Sequence, residues 1–239
     1  MTNAATSMRH IAGYKFLPLQ ALPTLRTQLL EQCQTQALKG TILLSEEGIN
    51  LSLSGEEGNI QQFKACLTQD SHFADMTFRE NIITAHSFKR LKVKIKKEII
   101  TLRIPDILPI EKRAAAISPA VLKQWLDEKR DVTLLDARNE YEINHGTFTD
   151  AVSLQLQHFQ DFPAAVATNG DAILARDKPI VTFCTGGIRC EKAALYLMAQ
   201  GYKEVYQLDG GILNYFSQMD GAHYQGDCFV FDERVIVNS

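Results

Sequence analysis

Residues 179–190 read P-I-V-T-F-C-T-G-G-I-R-C and carry the clearest structural signal in the chain. An apolar segment of strand length ends at Cys184, and residues 190–200 follow as a helix-like segment after a short turn. Gly201, directly after that segment, is typical of a helix carboxyl terminus. This order predicts a parallel α/β sheet with Cys184 at the carboxyl end of a strand, which is where such sheets bind ligands.

The segments on either side of this stretch extend the same pattern. Short apolar runs at residues 132–136, 151–154 and 205–208 are separated by stretches long enough for helices. Alternating strands and helices predict a parallel sheet. Ser118 followed by Pro119 predicts the start of the first helix of this domain.

The loop after Cys184 has the composition of an anion-binding turn. Two successive glycines allow backbone N–H groups to converge on one small concavity. The start of the next helix and the charge of Arg189 favour thiolate over thiol at Cys184. We therefore predict a nucleophilic Cys184 above an anion cradle whose residues are Thr185, Gly186, Gly187 and Ile188.

The remaining cysteines are less informative. Cys190 is interpreted either as a thiol that resolves an oxidised Cys184 as a disulfide or as an ordinary helix-start residue. Cys33 and Cys66 lie on predicted helices and are interpreted as structural, and Cys228 receives no role. Five cysteines at irregular spacings argue against a secreted disulfide framework, and the absence of C-x-x-C pairs argues against a metal site.

The first half of the chain follows a different pattern. Strand-like segments at residues 10–16, 41–44, 49–53 and 76–85 are interleaved with helix-like segments at residues 24–37 and from residue 55 onward. Ile60, Phe63 and Leu67 are spaced to share one face of the second helix. The order βαββαβ predicts a ferredoxin-like α+β sandwich.

A lysine stripe follows this domain core. Residues 89–97 read K-R-L-K-V-K-I-K-K, so a strand would bury Leu91, Val93 and Ile95 and present lysines on its other face. The stripe is interpreted either as edge-strand protection against aggregation or as a phosphate-binding surface. Residues 1–118 hold 15 Lys and Arg against 11 Asp and Glu, a net +4, whereas residues 119–239 hold 10 against 17, a net −7. This asymmetry is what a polyanion-facing first half would show, although small domains also differ in charge by chance.

These observations divide the chain into four segments. We predict a ferredoxin-like domain at residues 1–103, a proline-containing linker at 104–117, a catalytic α/β domain at 118–220 and a carboxyl-terminal extension at 221–239. No apolar run approaches the roughly 18 residues of a membrane span, and residues 1–11 do not resemble a signal peptide. The expected location is therefore cytoplasmic.

The cysteine loop also resembles a known family. C-T-G-G-I-R is similar to the rhodanese active-site loop C-x-x-G-x-R, and Gly210-Gly211 resembles its closing glycine pair. Asp136, Arg138 and Glu142 resemble the D-x-R…E segment of rhodanese domains, and this resemblance implies that they support the site. His145 stands where the sequence departs from the family pattern and receives no catalytic role. Related phosphatases have five residues between Cys and Arg, enough to hold a tetrahedral phosphate, whereas the four residues here suit a smaller sulfur or oxygen species and argue against a phosphatase.

The resemblance covers nearly the whole chain when the first half is included. K-G-T-I-L-L at residues 39–44 and E-E-G-I-N at residues 46–50, with the cysteine loop, resemble the rhodanese-containing tRNA uridine hydroxylases. This implies an acylphosphatase-like first domain, oxygen-dependent 5-hydroxylation of the wobble uridine at tRNA position 34, and molecular oxygen as co-substrate without a bound metal or organic cofactor. Members often continue into a cysteine-containing tail, whereas this chain ends at Ser239, and we expect that tail to be truncated or absent.

The implied partners are the tRNA anticodon arm and a sulfur or electron donor protein. The predicted RNA-binding residues are Lys89, Arg90, Lys92, Lys94, Lys96 and Lys97. Two other functions compete with hydroxylation. One is a sulfurtransferase that forms a persulfide on Cys184, and the other is a non-catalytic RNA-binding redox sensor in which Cys184 and Cys190 switch between dithiol and disulfide.

Overall fold

The computed structural model describes residues 7–238 and divides into two units, Met1–Ile99 and Ile100–Ser239. Residues 1–6 and Ser239 lie outside the described residues. They include the two outer ends of the predicted domain ranges and about half of residues 1–11, the segment considered for a signal peptide. Among the described residues, no helix is both long and apolar enough to cross a membrane.

The first unit is built on one mixed five-stranded sheet. Its strand order is β4-β1-β3-β2-β5, in which neighbouring strands are antiparallel except β2 and β5. The ferredoxin-like class predicted from the sequence is confirmed, with β5 added beside β2. The elements in chain order are β1 (Met8–Phe16), α1 (Leu22–Thr35), β2 (Lys39–Ser45), β3 (Gly48–Glu56), α2 (Glu57–Gln69), β4 (Arg79–Ile83) and β5 (Leu91–Ile95).

Apolar spacing explains how the two helices of the first unit pack. Ile60, Phe63 and Leu67 recur at helical spacing on α2, and all three side chains are buried as predicted. Cys33 of α1 is buried in the same core, whereas Cys66 of α2 is exposed, so the structural role predicted for Cys66 does not include core packing.

Strand β5 lies at an edge of the first sheet. It pairs with β2 alone among the described strands, with Val93 buried and Lys92 and Lys94 exposed. The prediction that Ile95 shares the buried face is wrong, because its side chain is 41% exposed. As the last residue of an edge strand, Ile95 has a neighbouring strand on one side only.

The second unit is built on a parallel sheet of order β6-β11-β10-β7-β9. Ser118 accepts a hydrogen bond from the Val121 N–H and so begins the first helix of this unit. The elements of the sheet region are β6 (Ala115–Ile117), α3 (Pro119–Asp127), β7 (Thr133–Asp136), α4 (Glu140–Ile143), β8 (Gly146–Phe148), β9 (Val152–Ser153), α5 (Phe162–Ile173), β10 (Ile180–Phe183), α6 (Ile188–Ala199), β11 (Val205–Leu208) and α7 (Gly211–Met219).

The segment predicted as a linker, residues 104–117, instead belongs to this second unit. Its last three residues form β6, which pairs in parallel with β11, and Ile107 and Ala114 are buried in the core. The prediction differs from the structure because a three-residue strand beside prolines has no visible periodicity. Its partner lies about 90 residues later, and only the folded sheet identifies it.

The carboxyl-terminal extension folds onto the second unit. Its strands are β12 (Tyr224–Gly226), β13 (Cys228–Phe229) and β14 (Ile236–Val237). Strand β12 pairs antiparallel with β8, and β13 pairs with β14. The extension is therefore packed as part of the second unit rather than as a separate segment.

Candidate active site

Cys184 lies directly after β10, at the carboxyl end of the central part of the parallel sheet. Its sulfur accepts a hydrogen bond from the Gly187 N–H at 3.2 Å, and the side chain is fully buried. Gly187 has φ 95°, a left-handed conformation that glycine adopts at no steric cost, and α6 begins at the next residue. The glycine pair therefore turns the backbone so that amide hydrogens face the sulfur. Of the predicted cradle residues, Gly186 and Ile188 are half-buried and Thr185 is buried.

The first turn of α7 supports the cysteine loop from behind. The Ile212 N–H donates to the Cys184 carbonyl at 2.9 Å, and the Leu213 N–H donates to the Thr185 carbonyl at 3.1 Å. A Cβ on Gly211, which has φ 67°, would lie 2.3 Å from the Cys184 carbonyl oxygen. The closing glycine pair noted in the sequence is therefore needed so that α7 can approach this loop.

Arg189 is held by Glu142 in a buried bidentate ion pair. Arg189 Nη1 donates to Glu142 Oε2 at 2.5 Å, and Nη2 donates to Oε1 at 2.8 Å. Nη2 also lies 3.3 Å from the Thr185 hydroxyl. We predicted that Arg189 stabilises the anion at Cys184. The structure shows that its side-chain hydrogen bonds go to Glu142 and Thr185, so the guanidinium acts on the sulfur through its charge, and the backbone N–H of Arg189 also contributes a hydrogen bond to the sulfur.

Two opposing effects act on the buried thiols of Cys184 and Cys190. Burial by itself raises the pKa of Cys184, but the Cys190 thiol donates a hydrogen bond to it, and the charge of Arg189 and nearby backbone N–H groups lower the pKa well below its ordinary value. Burial raises the pKa of Cys190, and the neighbouring Cys184 thiolate raises it further. These opposite shifts favour the thiolate at Cys184 and the neutral thiol at Cys190.

The other buried cysteines show the opposite behaviour from Cys184. Burial raises the pKa of Cys33 to about 12 and that of Cys228 to about 11. Neither has a cation whose charge outweighs the loss of solvation. The contrast supports Cys184 as the reactive thiol of the described chain.

Asp136 and Arg138 form a second buried ion pair that is distinct from the loop. Arg138 Nη2 donates to Asp136 Oδ2 at 2.6 Å and to the Gly146 carbonyl at 2.6 Å, and the Thr147 hydroxyl donates to Asp136 Oδ2 at 2.7 Å. These bonds join the end of β7 to β8. Of the three residues predicted to support the site, Glu142 is therefore the one that contacts the cysteine loop directly.

The carboxyl-terminal extension supplies side chains that the sequence did not assign to the site. The Phe229 carbonyl lies 3.5 Å from the Thr185 hydroxyl, and the Arg189 guanidinium lies 5.7 Å from the centre of the Phe231 ring. Cys228 is buried as part of a hydrophobic core cluster of this unit. The aromatic composition of residues 228–231 was the available signal, but nothing in it indicates which surface the segment covers.

The predicted RNA-binding residues all belong to the first unit. Those on and beside β5 are exposed, so the lysine stripe is present at the protein surface. His145 is exposed, as expected for a residue without a catalytic role. Within residues 7–238, no group of three or more His, Cys, Asp or Glu side chains is placed to hold a metal ion.

Comparison with known proteins gives matches along both units. Residues 8–99 match the UPF0176 acylphosphatase-like domain, and residues 118–218 match the rhodanese-like domain. A protein from Bordetella petrii named tRNA uridine(34) hydroxylase is 49% identical over 96% of this chain and 92% of its own length. A Cupriavidus necator protein of the same name is 47% identical over 96% of this chain and 82% of its own length.

Matches among solved structures are of low similarity. The solution structure of a rhodanese-like domain from Anabaena is 21% identical and covers 46% of this chain and 78% of that domain, with a TM-score of 0.39. A rhodanese-like domain protein from Staphylococcus aureus is 23% identical over 42% of this chain and 90% of its own, with a TM-score of 0.36.

Proposed function

The chain belongs to the family of the tRNA uridine(34) hydroxylases, and we propose that it adds a hydroxyl group to C5 of the wobble uridine of tRNA with molecular oxygen as co-substrate. The observation that carries the proposal is the Cys184 thiolate, held in a short backbone cradle in a chain that is similar to these enzymes along nearly its full length. A tRNA substrate favours a cytoplasmic location.

Cys184 is the catalytic residue in this proposal. A thiolate is the nucleophilic and reducing form of cysteine, and the Gly187 N–H and the Arg189 charge stabilise it. Arg189 is held in place by Glu142, so its charge stays beside the sulfur throughout the reaction. The small cradle suits an oxygen or sulfur species attached to Cys184.

Cys190 is the partner thiol. The uridine C5–H and one O₂ give C5–OH and water, while Cys184 and Cys190 lose two electrons and form a disulfide. One oxygen atom goes to C5 and the other leaves as water, which takes one proton from Cys190 and one from solvent. The hydrogen bond between the two sulfurs places them close together before the bond forms. A reductant of the dithiol class then restores both thiols.

The first unit binds the tRNA. Its lysine stripe is exposed on an edge strand, and ammonium groups spaced along a strand suit the phosphates of the anticodon arm. The site-bearing half of the chain is acidic, with a net charge of −7 for residues 119–239. We therefore attribute the binding of the tRNA phosphates to the first unit.

The proposal is tested by incubating the purified protein with unmodified tRNA under ¹⁸O₂ and analysing the nucleosides by mass spectrometry. We expect 5-hydroxyuridine at position 34 with one ¹⁸O atom and two protein thiols lost per product when no reductant is present. Cys184→Ser and Cys190→Ser should each abolish the product, because both electrons for the reaction come from this thiol pair. Cys66→Ser, which removes an exposed thiol of the first unit, is the matched control and should retain activity.

The same assay separates the two competing functions. A sulfurtransferase would accumulate a persulfide on Cys184 and turn over without oxygen. A redox sensor would form the Cys184–Cys190 disulfide in air while every tRNA nucleoside stayed unchanged. Either result, or ¹⁸O incorporation from labelled water instead of O₂, would contradict oxygen-dependent hydroxylation.

A further inference from the structure

Four rings of the second unit form a cluster that the reaction described above does not use. Phe229 lies at its centre, with ring centroids 5.5 Å from Tyr141, 5.6 Å from His145 and 5.2 Å from Phe231. We name these four side chains the aromatic platform. Tyr141 and Phe231 are 43% and 59% exposed, so part of each ring faces solvent.

Two contacts and one chain neighbour place the platform beside the cysteine loop. The Arg189 guanidinium lies 5.7 Å from the Phe231 ring centre, within the range of a cation–π interaction. Tyr141 precedes Glu142, the residue that holds Arg189. The Phe229 carbonyl lies 3.5 Å from the Thr185 hydroxyl. A ligand bound on the platform would therefore lie beside the residues that stabilise the Cys184 thiolate.

We propose that the aromatic platform binds the base of the target uridine by stacking, chiefly on the exposed rings of Phe231 and Tyr141. This inference rests on the proposed function and names the surface that brings the substrate base to the site. Phe229 meets both rings nearly at right angles, 82° to Tyr141 and 85° to Phe231, and these edge contacts hold the exposed rings in place.

Charge and chemistry favour a nucleobase as the occupant. The half of the chain that carries the platform has a net charge of −7, which repels phosphate but has little effect on an uncharged planar base. Stacking on aromatic rings is how proteins hold single-stranded bases, at a gain of about 1–3 kcal/mol per base. A base inserted beside the Arg189 side of Phe231 also brings its carbon atoms to the edge of the reactive loop.

The test is a binding cycle between rings and bases. In a Cys184→Ser background, which prevents turnover, we would measure the affinity of the full chain for anticodon stem-loop RNAs with an abasic residue at position 33, 34 or 35. Phe231→Ala and Tyr141→Ala remove the exposed rings, whereas Phe231→Tyr and Tyr141→Phe retain them. Val121→Ala, which removes an exposed apolar side chain from α3 of the same unit, is the matched control.

With the rings intact, loss of base 34 should weaken binding roughly 5- to 150-fold. Phe231→Ala should weaken binding of the complete RNA to a similar degree, and the same abasic change should then have little further effect. Phe231→Tyr and Val121→Ala should behave like the parent protein. Additive effects of ring and base, or coupling to base 33 or 35 instead of 34, would overturn the proposal. Because binding is read without turnover, this result is independent of whether the hydroxylation assay succeeds.

Discussion

The buried pair between Glu142 and Arg189 provides the sharpest stability prediction. Replacing Glu142 with Gln removes the negative charge and turns an amide –NH₂ toward the guanidinium donors, which were 2.5 and 2.8 Å from carboxylate oxygens. Both side chains are almost completely buried, so Arg189 would keep its charge away from water without the carboxylate that now pairs with it. Breaking a buried ion pair in this way costs about 3–5 kcal/mol.

Urea unfolding measured through Trp125 fluorescence is the appropriate assay. Trp125 is the sole tryptophan and lies on α3, so its emission reports the second unit. With a urea dependence of about 2 kcal/mol/M, the expected loss lowers the unfolding midpoint by roughly 1.5–2.5 M. Asp127→Asn weakens the exposed contacts of Asp127 with Lys123 and His223 in the same unit and should cost no more than about 1 kcal/mol.

A second variant isolates the charge itself. Glu142→Gln combined with Arg189→Met removes both charges, and a site without a buried charge costs less than one that keeps a single unpaired charge. The double variant should therefore be more stable than Glu142→Gln alone. The reasoning would be refuted if Glu142→Gln unfolded at nearly the same urea concentration as Asp127→Asn, or if adding Arg189→Met brought no recovery.

Three further predictions concern the loop, the thiolate and the lysine stripe. Gly211→Ala should cost at least ten-fold in hydroxylation because its Cβ would lie 2.3 Å from the Cys184 carbonyl, whereas Gly58→Ala, with open space around it, should retain activity. Thiolate absorbance near 240 nm, taken as wild type minus Cys184→Ser, should be present at pH 7 and disappear on acidification, since the pKa of Cys184 is lowered; a signal that first appears above pH 9 would contradict this. Changing three lysines of the stripe to Glu should weaken tRNA binding and reduce the slope of log affinity against log salt by about two to three, and an equal effect of the control triple would exclude a specific role. The stripe variant is Lys92, Lys94 and Lys96 to Glu, and the control is Lys112, Lys129 and Lys203 to Glu.

Local sequence features were sufficient for much of the second unit. The strand, turn and helix around Cys184 are contiguous, so their order and the left-handed glycine at the turn are readable from residues close together in sequence. The Ser118 cap and the Gly201 helix end follow equally local rules. The ferredoxin-like order of the first unit was predictable for the same reason, because each strand and helix carries its own periodicity.

Segments stabilised mainly by distant partners were not predictable in this way. Strand β6 has three residues, and its place in the sheet depends on pairing with β11. The fold of the extension likewise depends on β8, whose residues lie more than 70 positions earlier. Short strands of this kind derive their stability from tertiary contacts rather than from propensity.

The amino-acid sequence by itself determined which cysteine stands after a strand, how long its loop is, and how charge is divided between the two halves of the chain. Tertiary structure alone decided that Glu142 pairs with Arg189 across 47 residues and that Phe229 and Phe231 lie beside the cysteine loop. Both contacts join segments far apart in the chain, and their geometry is set by how the whole unit packs. The reactive cysteine can therefore be predicted from local sequence, but the ion pair that supports its thiolate and the aromatic rings around it depend on the folded unit.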